Sequence, residues 1–385
     1  MAYWILPAFL ISIGAGPAAL GLIEGVAESV AALGKLFSGY LTDVVRRRKP
    51  LVVFGYALAN LVKPVLALST QWWHVLLIRF ADRTAKGIRT TPRDVMLAES
   101  VDEKKVGGAY GLLQSMDSAG AIAGPLIAWL VLARMGGMRT VFWIAAIPGF
   151  AAALLILLAR EPHRNRADTD ASAPRIDPAP AWRSAHLPFR FYYLLAAVLI
   201  FSLGNSSDMF LVLRAEQIGI PPALAPLLGL TFNLTYTLAS WPAGRLSDRR
   251  SKPMLAAFGY LAFAATYFTF AAAPSKTAVW TIMTVYGMYY ALTSPVLRAL
   301  VVETVAPEAR GRAFGLFYFS TSVCTLLSSV VTGELWKRHG AALPFLLSAS
   351  LAVMAAAMLL SVNKVAAKES AAQERDGITD SAALR

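Results

Sequence analysis

Long apolar runs, each about the length that crosses a lipid bilayer, recur along almost the whole chain. A membrane-spanning helix needs about 20 mostly apolar residues, and glycines, prolines and charge clusters separate runs of that kind here. Hydrophobic residues make up 57% of the 385 residues and charged residues only 15%, which is far more apolar than a soluble domain. The sequence therefore predicts an all-α integral membrane protein. We place twelve helices, of which the first is short: 2–15, 17–42, 51–70, 72–101, 107–133, 140–160, 190–213, 222–247, 253–273, 277–304, 311–335 and 341–363.

Lysine and arginine are unequally distributed among the connections between these helices. One alternate set holds 22 of them and the other set 6. Because cytoplasmic loops carry the excess of positive charge, we expect the richer set on the cytoplasmic side of the plasma or inner membrane, with both termini inside. The net charge of +13 lies in short clusters rather than on one basic face, so we expect no nucleic-acid partner. The richer set is 43–50, 102–106, 160–190, 245–252 and 306–312, with the tail 364–385.

The sequence repeats itself on either side of a polar, proline- and alanine-rich stretch. Glu99–Leu113 matches Glu303–Phe317 without a gap at an offset of 204 residues, and Gly39–Asp43 matches Gly244–Asp248 one residue further on. A parallel duplication of this kind predicts two pseudo-symmetric six-helix bundles. The expected organisation is an N-terminal bundle at 1–160, a cytoplasmic linker at 161–188, a C-terminal bundle at 189–363 and a cytoplasmic tail at 364–385.

The first helix is truncated relative to its repeat. Under the offset, Met1 corresponds to a position midway through the seventh helix. A run of about fourteen residues rises only about 21 Å, less than the hydrocarbon core of a bilayer. We therefore expect the true start of the chain to lie upstream; the alternative is that the first helix is a half-span covered by its neighbours.

The repeated segment resembles a loop motif of a known transporter family. Gly39 and Asp43 lead into a run of cations, and the second copy has Gly244, Asp248 and Arg249. This pattern is similar to the G-x-x-x-D-R-x-G-R-R-K loop of the major facilitator superfamily, and the resemblance implies that family's twelve-helix fold. Glycine permits close helix contact, and an aspartate can face a helix N-terminus or a neighbouring arginine. We expect these residues to act in gating; for the cations alone, the positive-inside rule is the alternative.

A second motif lies in the fifth helix, where Gly111, Gly120, Gly124 and Pro125 follow a G-x8-G-x3-G-P spacing. The spacing is similar to that of the superfamily's drug–proton antiporters, and the resemblance implies a role in gating and in export. Small residues allow tight helix packing, and proline removes a backbone hydrogen bond. Packing without a transport role is the alternative.

Charged residues recur every three to four positions along the fourth helix, which puts them on one face. A cation at the bilayer centre costs about 2.5–3.5 kcal/mol, so these side chains must face protein or water. We predict that they line a central cavity, with Asp82 partly neutralising Arg79 and Lys86. The predicted cavity and substrate residues are Arg79, Arg83, Lys86, Arg89, Asn205, Asn233 and Arg298.

Acidic residues within the predicted spans are candidates for proton coupling, because desolvation favours the protonated form of a carboxylate. Glu24 and Glu28 are one turn apart, so repulsion favours one of them holding a proton. For Asp208, pairing with Arg214 or another polar neighbour is the alternative. The candidates, with the three placed nearest the middle of the bilayer first, are Asp82, Glu28, Asp117, Glu24 and Asp208.

Together these features predict a secondary transporter rather than an enzyme. We expect proton-coupled efflux of a small anionic or amphipathic compound by alternating access; the alternative is import of a small anionic metabolite by proton symport. We expect no cofactor and no metal, because the four histidines lie in loops or at helix ends without a paired motif. The expected partners are the substrate, protons and the lipid bilayer, and we expect a monomer.

Overall fold

The structure is a computed structural model that describes residues 2–15, 17–45, 47–159, 187–221, 224–272 and 275–383. Over these residues the chain forms α-helices and short 3-10 turns, without a β-strand. The α-helices of this described part are α1 (Ala2–Ser12), α2 (Pro17–Val44), α3 (Lys49–Val65), α4 (Trp72–Glu99), α5 (Val106–Met135), α6 (Met138–Leu158), α7 (Phe189–Gly204), α8 (Met209–Gln217), α9 (Ala225–Ser247), α10 (Lys252–Ala271), α11 (Lys276–Thr304), α12 (Arg310–His339) and α13 (Ala342–Ala383).

The twelve predicted helices are all present, but the seventh is divided. α7 ends at Gly204 and α8 begins at Met209, so the prediction of one continuous helix over 190–213 is wrong. Between them lie Asn205, two serines and Asp208, whose side chains compete for backbone hydrogen bonds and disfavour a helix interior. The predicted linker at 161–188 lies, except for its last two residues, outside the described residues and stays a prediction.

Eight stretches of the described part are long and apolar enough to cross a membrane, and one of them combines α7 and α8. α2 and α4 are not among them, although each has 28 residues. Charged side chains interrupt their apolar surface, and these two helices carry seven of the twelve residues that were predicted to act in proton coupling or to line the cavity.

The first of two compact units consists of residues 1–102, 120–186 and 307–319. In its described part, α2 and α3 pack against α4, and α6 packs against α3 and α1. An apolar core forms where α1 meets α6, with the rings of Phe9 and Phe142 packed edge to face at 5.0 Å. This packing fixes α4, so its polar face lies against α2 and α3.

The second unit consists of residues 103–119, 187–306 and 320–385. α11 packs against α9 and α10, while α13 packs against α7 and α10. Its core is rich in aromatic rings: Phe201 stacks on Tyr260 with centroids 3.9 Å apart, and Phe263 stacks on Tyr267 at 4.0 Å. Tyrosines of α9 and α11 extend this aromatic core.

The two units differ from the predicted sequence halves by one exchanged segment each. The beginning of α5 belongs to the second unit and the beginning of α12 to the first. These segments are related by the 204-residue offset, so they are counterparts in the repeat. Each half of the sequence thus contributes a helix start to the other half's unit.

Ion pairs at the helix ends also follow the repeat. Glu99 at the end of α4 pairs with Arg48 before α3, and Glu303 near the end of α11 pairs with Lys252 at the start of α10, at 2.9 Å. Both partners are related by the offset of 204 residues. The duplication therefore extends from the sequence to individual contacts.

Candidate functional site

A network of ion pairs joins α2, α3 and α4 inside the first unit. The Arg79 guanidinium donates through one nitrogen to both carboxylate oxygens of Glu24, at 2.6 and 2.8 Å. Its other terminal nitrogen lies 3.8 Å from Asp82, whose second oxygen is 3.3 Å from the ammonium of Lys63. Arg79 and Asp82 are buried. The fourth helix therefore turns this guanidinium toward protein partners, as the cost of a lipid-facing cation requires.

A second ion pair continues the network one turn further along both helices. Arg83 lies 3.2 Å from Glu28, whose side chain is 63% exposed. Glu24 and Glu28 each have their own arginine, so the expected repulsion between the two acids is offset by these cations. Asp82 pairs with Lys63 rather than with Lys86, which corrects the predicted partner: α3 brings Lys63 closer than the next turn of α4 brings Lys86.

Lys86 and Arg89 have different surroundings, although both follow the same face of α4. Lys86 is exposed, and no acid among the described residues forms an ion pair with it. Arg89 instead lies over the ring of Tyr56 in α3, with 4.1 Å between the guanidinium carbon and the ring centroid. Lys86 is thus the predicted cavity cation best placed to meet a ligand.

A close helix crossing lies at the end of α2 in the first unit. A Cβ atom on Gly39 would lie 2.5 Å from the carbonyl oxygen of Gly311 and 2.7 Å from the Cα of Gly315, so only glycine fits. Asp43 accepts hydrogen bonds from the backbone N–H groups of Gly311 and Arg312, at 2.7 and 2.9 Å, and from the Arg312 side chain at 3.1 Å. We call this the first glycine crossing. An anion at the N-terminus of a helix is a favourable arrangement.

The second unit contains the repeat counterpart, which we call the second glycine crossing. A Cβ on Gly244 would overlap the carbonyl oxygen of Gly107 and lie 2.9 Å from the Cα of Gly111. Asp248 accepts from the N–H groups of Gly107 and Gly108, at 2.7 and 2.8 Å. The end of α9 therefore caps the start of α5, as the end of α2 caps the start of α12.

Another pair of repeat-related contacts joins α4 to α12 and α11 to α5. In the first unit, the hydroxyl of Tyr318 donates to Asp94; in the second, Arg298 donates to Gln114 and lies over the Tyr110 ring at 5.2 Å. Asp94 and Arg298 are related by the 204-residue offset, as are Gln114 and Tyr318. Arg298, predicted to contact substrate, is therefore engaged by α5.

The remaining residues of the predicted gating and cavity sets are less closely packed. A Cβ on Gly120 would meet no atom within 4 Å, so the tight packing expected of the α5 motif is present at Gly111 but not here. α5 continues through Gly124 and Pro125, which are half-buried. Of the other members, Arg249 is exposed, Asn233 donates to the Gly229 carbonyl, and Asn205 follows the last residue of α7. The proton-coupling candidate Asp117 is exposed as well.

Asp208 has neutral partners. Tyr286 donates to one carboxylate oxygen at 2.7 Å, and Tyr290 contacts both oxygens at 3.2 and 3.3 Å. Arg214 donates to the carbonyl of Phe270 and to Gln217, so the alternative of an Asp208–Arg214 pair is wrong. The other alternative was a polar neighbour, and Asp208 has two of them, Tyr286 and Tyr290.

A family model for the Major Facilitator Superfamily matches residues 1–214 and again 206–384. The chain belongs to this superfamily. The double match reflects the two repeats, and it confirms the predicted twelve-helix fold of two six-helix halves. Transport across a membrane is the activity of the family, and the chain is an integral membrane protein.

Individual superfamily members resemble the chain over most of its length. It is 30% identical over 367 residues to an uncharacterised MFS-type transporter of Methanocaldococcus jannaschii, covering 92% of this chain and 89% of that protein. It is 24% identical over 343 residues to the multi-drug resistance efflux pump PmrA of Streptococcus pneumoniae, covering 86% and 84%. A crystal structure of the Escherichia coli fucose:proton symporter FucP matches with a TM-score of 0.71 at 15% identity, covering 94% and 96%, which shows the fold alone.

Sequence reasoning missed several partners in this superfamily fold. The sequence pattern does not identify Lys63 as the partner of Asp82, and it assigns no role to Gln114. Tyr286 and Tyr290 were missed as well, although the repeat offset relates them to Asp82 and Lys86. Adding 204 to the numbers of the charged residues of α4 would have identified the two tyrosines from the sequence.

Proposed function

We propose that the chain exports a small amphipathic compound in exchange for protons, by alternating access. The observation that carries this proposal is the ion-pair network in the first unit, because it places titratable carboxylates beside cations within the membrane-spanning helices. The similarity to a multi-drug resistance efflux pump supports export. Asp82, Glu24 and Glu28 are the coupling carboxylates of this proposal, and Asp117 is a further candidate.

The charge of the substrate determines whether it moves with protons or against them. A proton and a cationic group compete for one carboxylate, because each neutralises the same charge. A compound whose cationic end displaces Arg79 at Glu24, or Lys63 at Asp82, is therefore exchanged against a proton. This competition is the physical basis of the proposed antiport.

The second candidate is proton symport of a small anion, and the exposed residue Lys86 favours it. Protonation of Glu24 or Glu28 would release Arg79 or Arg83, which could then hold an anion, so anion and proton bind together. Two of the cations that favoured an anionic substrate in the sequence are, however, already neutralised by glutamates. For this reason we rank export of an amphipathic compound first.

The two glycine crossings are proposed to be the gating contacts. Each joins the cytoplasmic end predicted for one helix to the first turn of another through two hydrogen bonds from backbone N–H groups to a carboxylate. Such charge-assisted bonds are about twice as strong as neutral ones, and the Arg312 side chain adds a third at the first crossing. Glycine keeps the backbones close enough for these bonds to form. Exposure of the substrate site to the cytoplasm would require such contacts to open.

Everted membrane vesicles with an acidic interior test the proposal. We expect the amphipathic cation ethidium to accumulate inside when the gradient is applied, and Asp82→Asn to abolish accumulation because Lys63 and Arg79 lose a shared titratable partner. Glu334→Gln is the matched control: this carboxylate is exposed near the end of α12 and pairs only one turn away with Arg338. It should leave accumulation unchanged.

The anionic probe carboxyfluorescein separates the two candidates. Gradient-driven accumulation of ethidium, without proton-dependent uptake of carboxyfluorescein by whole cells, supports export of amphipathic compounds. If ethidium does not accumulate and whole cells take up the anion with protons, the symport alternative replaces the proposal. Lys86→Gln should then weaken uptake of the anion.

A further inference from the structure

The helix break between α7 and α8 brings a carboxylate into the aromatic core of the second unit. The chain leaves α7 at Asn205, whose φ and ψ are −92° and 78°, and re-enters a helix after Asp208. The N–H of Ser207 is satisfied by the side chain of Ser329 at 3.1 Å. Irregular backbone within a membrane protein requires such partners, and in transporters discontinuous helices mark binding positions.

Asp208 is surrounded by phenols rather than by cations. Its two donors, Tyr286 and Tyr290, come from α11, and the neighbouring titratable groups are Tyr236 of α9 and Tyr267 of α10. Among the described residues, no lysine or arginine forms an ion pair with this carboxylate. Asp208 is half-buried, with aromatic rings on several sides.

A carboxylate in this position has to be neutralised in another way. Burial away from water favours the uncharged form unless an opposite charge or strong hydrogen bonds compensate. Two hydroxyl donors stabilise the ionised form in part, whereas each ion pair of the first unit supplies a full opposite charge. A bound proton is the smallest ligand that completes the neutralisation.

We propose that Asp208 is a proton-binding site of the second unit, held by Tyr286 and Tyr290 and distinct from the ion-pair network of the first unit. The proton comes from water, forms the carboxylic acid on one Asp208 oxygen, and returns to water when the carboxylate is regenerated. The two tyrosines position the carboxyl group in both forms. Only the contribution of this site to coupling rests on the proposed function.

The repeat gives independent support. Tyr286, Tyr290, Ser294 and Arg298 recur every fourth residue of α11, and subtracting 204 gives Asp82, Lys86, Thr90 and Asp94 on the same face of α4. Ser294 donates to Gln114 at 3.2 Å, next to the Arg298 contact. At the first two of these positions α4 carries the ionisable Asp82 and Lys86, whereas α11 carries the phenols of Tyr286 and Tyr290. The acid that these phenols contact comes from the helix break.

Infrared difference spectroscopy of the purified full chain in lipid nanodiscs tests the proposal without transport. Changing the pH across the physiological range should produce a carboxylic acid C=O band that is lost in Asp208→Asn. Tyr286→Phe and Tyr290→Phe should shift the frequency of that band without removing it, because each loses one hydrogen bond. Tyr193→Phe is the matched control, since this tyrosine contacts Ser361 in the same unit at 2.7 Å, and it should leave the band unchanged.

The results distinguish this inference from the proposed function. If no pH-dependent carboxyl band depends on Asp208, or if the band is equally insensitive to both tyrosine substitutions, the site as proposed is wrong even if transport is proton-coupled. If the band behaves as expected, the site stands even if the exported compound proves not to move against protons. In a proton-coupled wild type, Asp208→Asn should lower the number of protons per substrate by one.

Discussion

At the scale of single residues, the charged groups of α4 are held by partners that lie far away in the sequence. Glu24 and Lys63 reach Arg79 and Asp82 from two other helices. The sequence predicts that these cations avoid lipid, because that follows from their position along an apolar helix. The identity of each partner depends on how α2 and α3 rotate about their axes, and periodicity within one helix contains no such information.

The Arg79–Glu24 pair should dominate the stability of this network. Replacing Arg79 by glutamine leaves Glu24 without its bidentate partner, and removing one member of a buried ion pair costs on the order of 3 kcal/mol. We expect a clearly lower melting temperature of the purified protein. The double variant Glu24→Gln/Arg79→Gln should recover most of that loss, because no uncompensated charge remains.

A thermal-shift assay in detergent measures both variants. Arg139→Gln is a suitable control, since this arginine donates to a backbone carbonyl, that of Ser69, rather than to an acid. Losses for the two single variants that simply add in the double variant would show that Arg79 and Glu24 do not stabilise one another.

At the scale of helices, length and apolar composition were sufficient to predict nearly all the elements. The exception is the seventh helix, where a run of apolar residues concealed the break at 205–208. Asparagine, serine and aspartate are the signal for that break, but the apolar residues on both sides of them predict one continuous span. The glycine crossings were only half predictable: Gly39 and Asp43 matched a family motif, but their partner glycines on α12 come from the other half of the chain.

Alanine at a crossing glycine should separate the helices. Gly39→Ala places a methyl group against backbone atoms of Gly311 and Gly315 that cannot move aside independently, and overpacking of this kind costs about 1–3 kcal/mol. Gly244→Ala should have the same effect at the second crossing. We expect each variant to melt at a lower temperature than the wild type.

Gly120→Ala provides the contrast within α5. No atom lies within 4 Å of the added carbon, and alanine is a better helix former than glycine by up to about 1 kcal/mol. Its melting temperature should be equal to or higher than that of the wild type. Equal losses for Gly39→Ala and Gly120→Ala would contradict a specific role of close backbone contact at the crossing.

At the scale of the whole molecule, membership of the superfamily and the repeat were predictable because short sequence motifs indicate both. The orientation in the membrane stays a prediction from the distribution of lysine and arginine. The exchange of segments between the units was not predictable. It depends on contacts between positions about 140 to 270 residues apart in the chain, such as Gly107 with Asp248 and Gly311 with Asp43.

Cysteine labelling tests the orientation. In a Cys324→Ser background, cysteines at Thr70 and His339 should react with an impermeant maleimide in intact cells. Cysteines at Ser100 and Ser251 should react only after the cells are permeabilised, because their connections belong to the lysine- and arginine-rich set. The opposite pattern would invert the topology, and with it the side on which the glycine crossings lie.

Because of the exchanged segments, the order of synthesis determines when each unit can finish folding in the membrane. The start of α5 is synthesised before α9, its partner at the second glycine crossing, and the end of α2 waits for α12, almost the last helix to leave the ribosome. Asp43 is therefore made long before the N–H groups of Gly311 and Arg312 that donate to it, whereas Asp248 is made long after those of Gly107 and Gly108. Neither unit can be completed while the polypeptide is still nascent at residue 300, so final assembly is a late event that involves both repeats together.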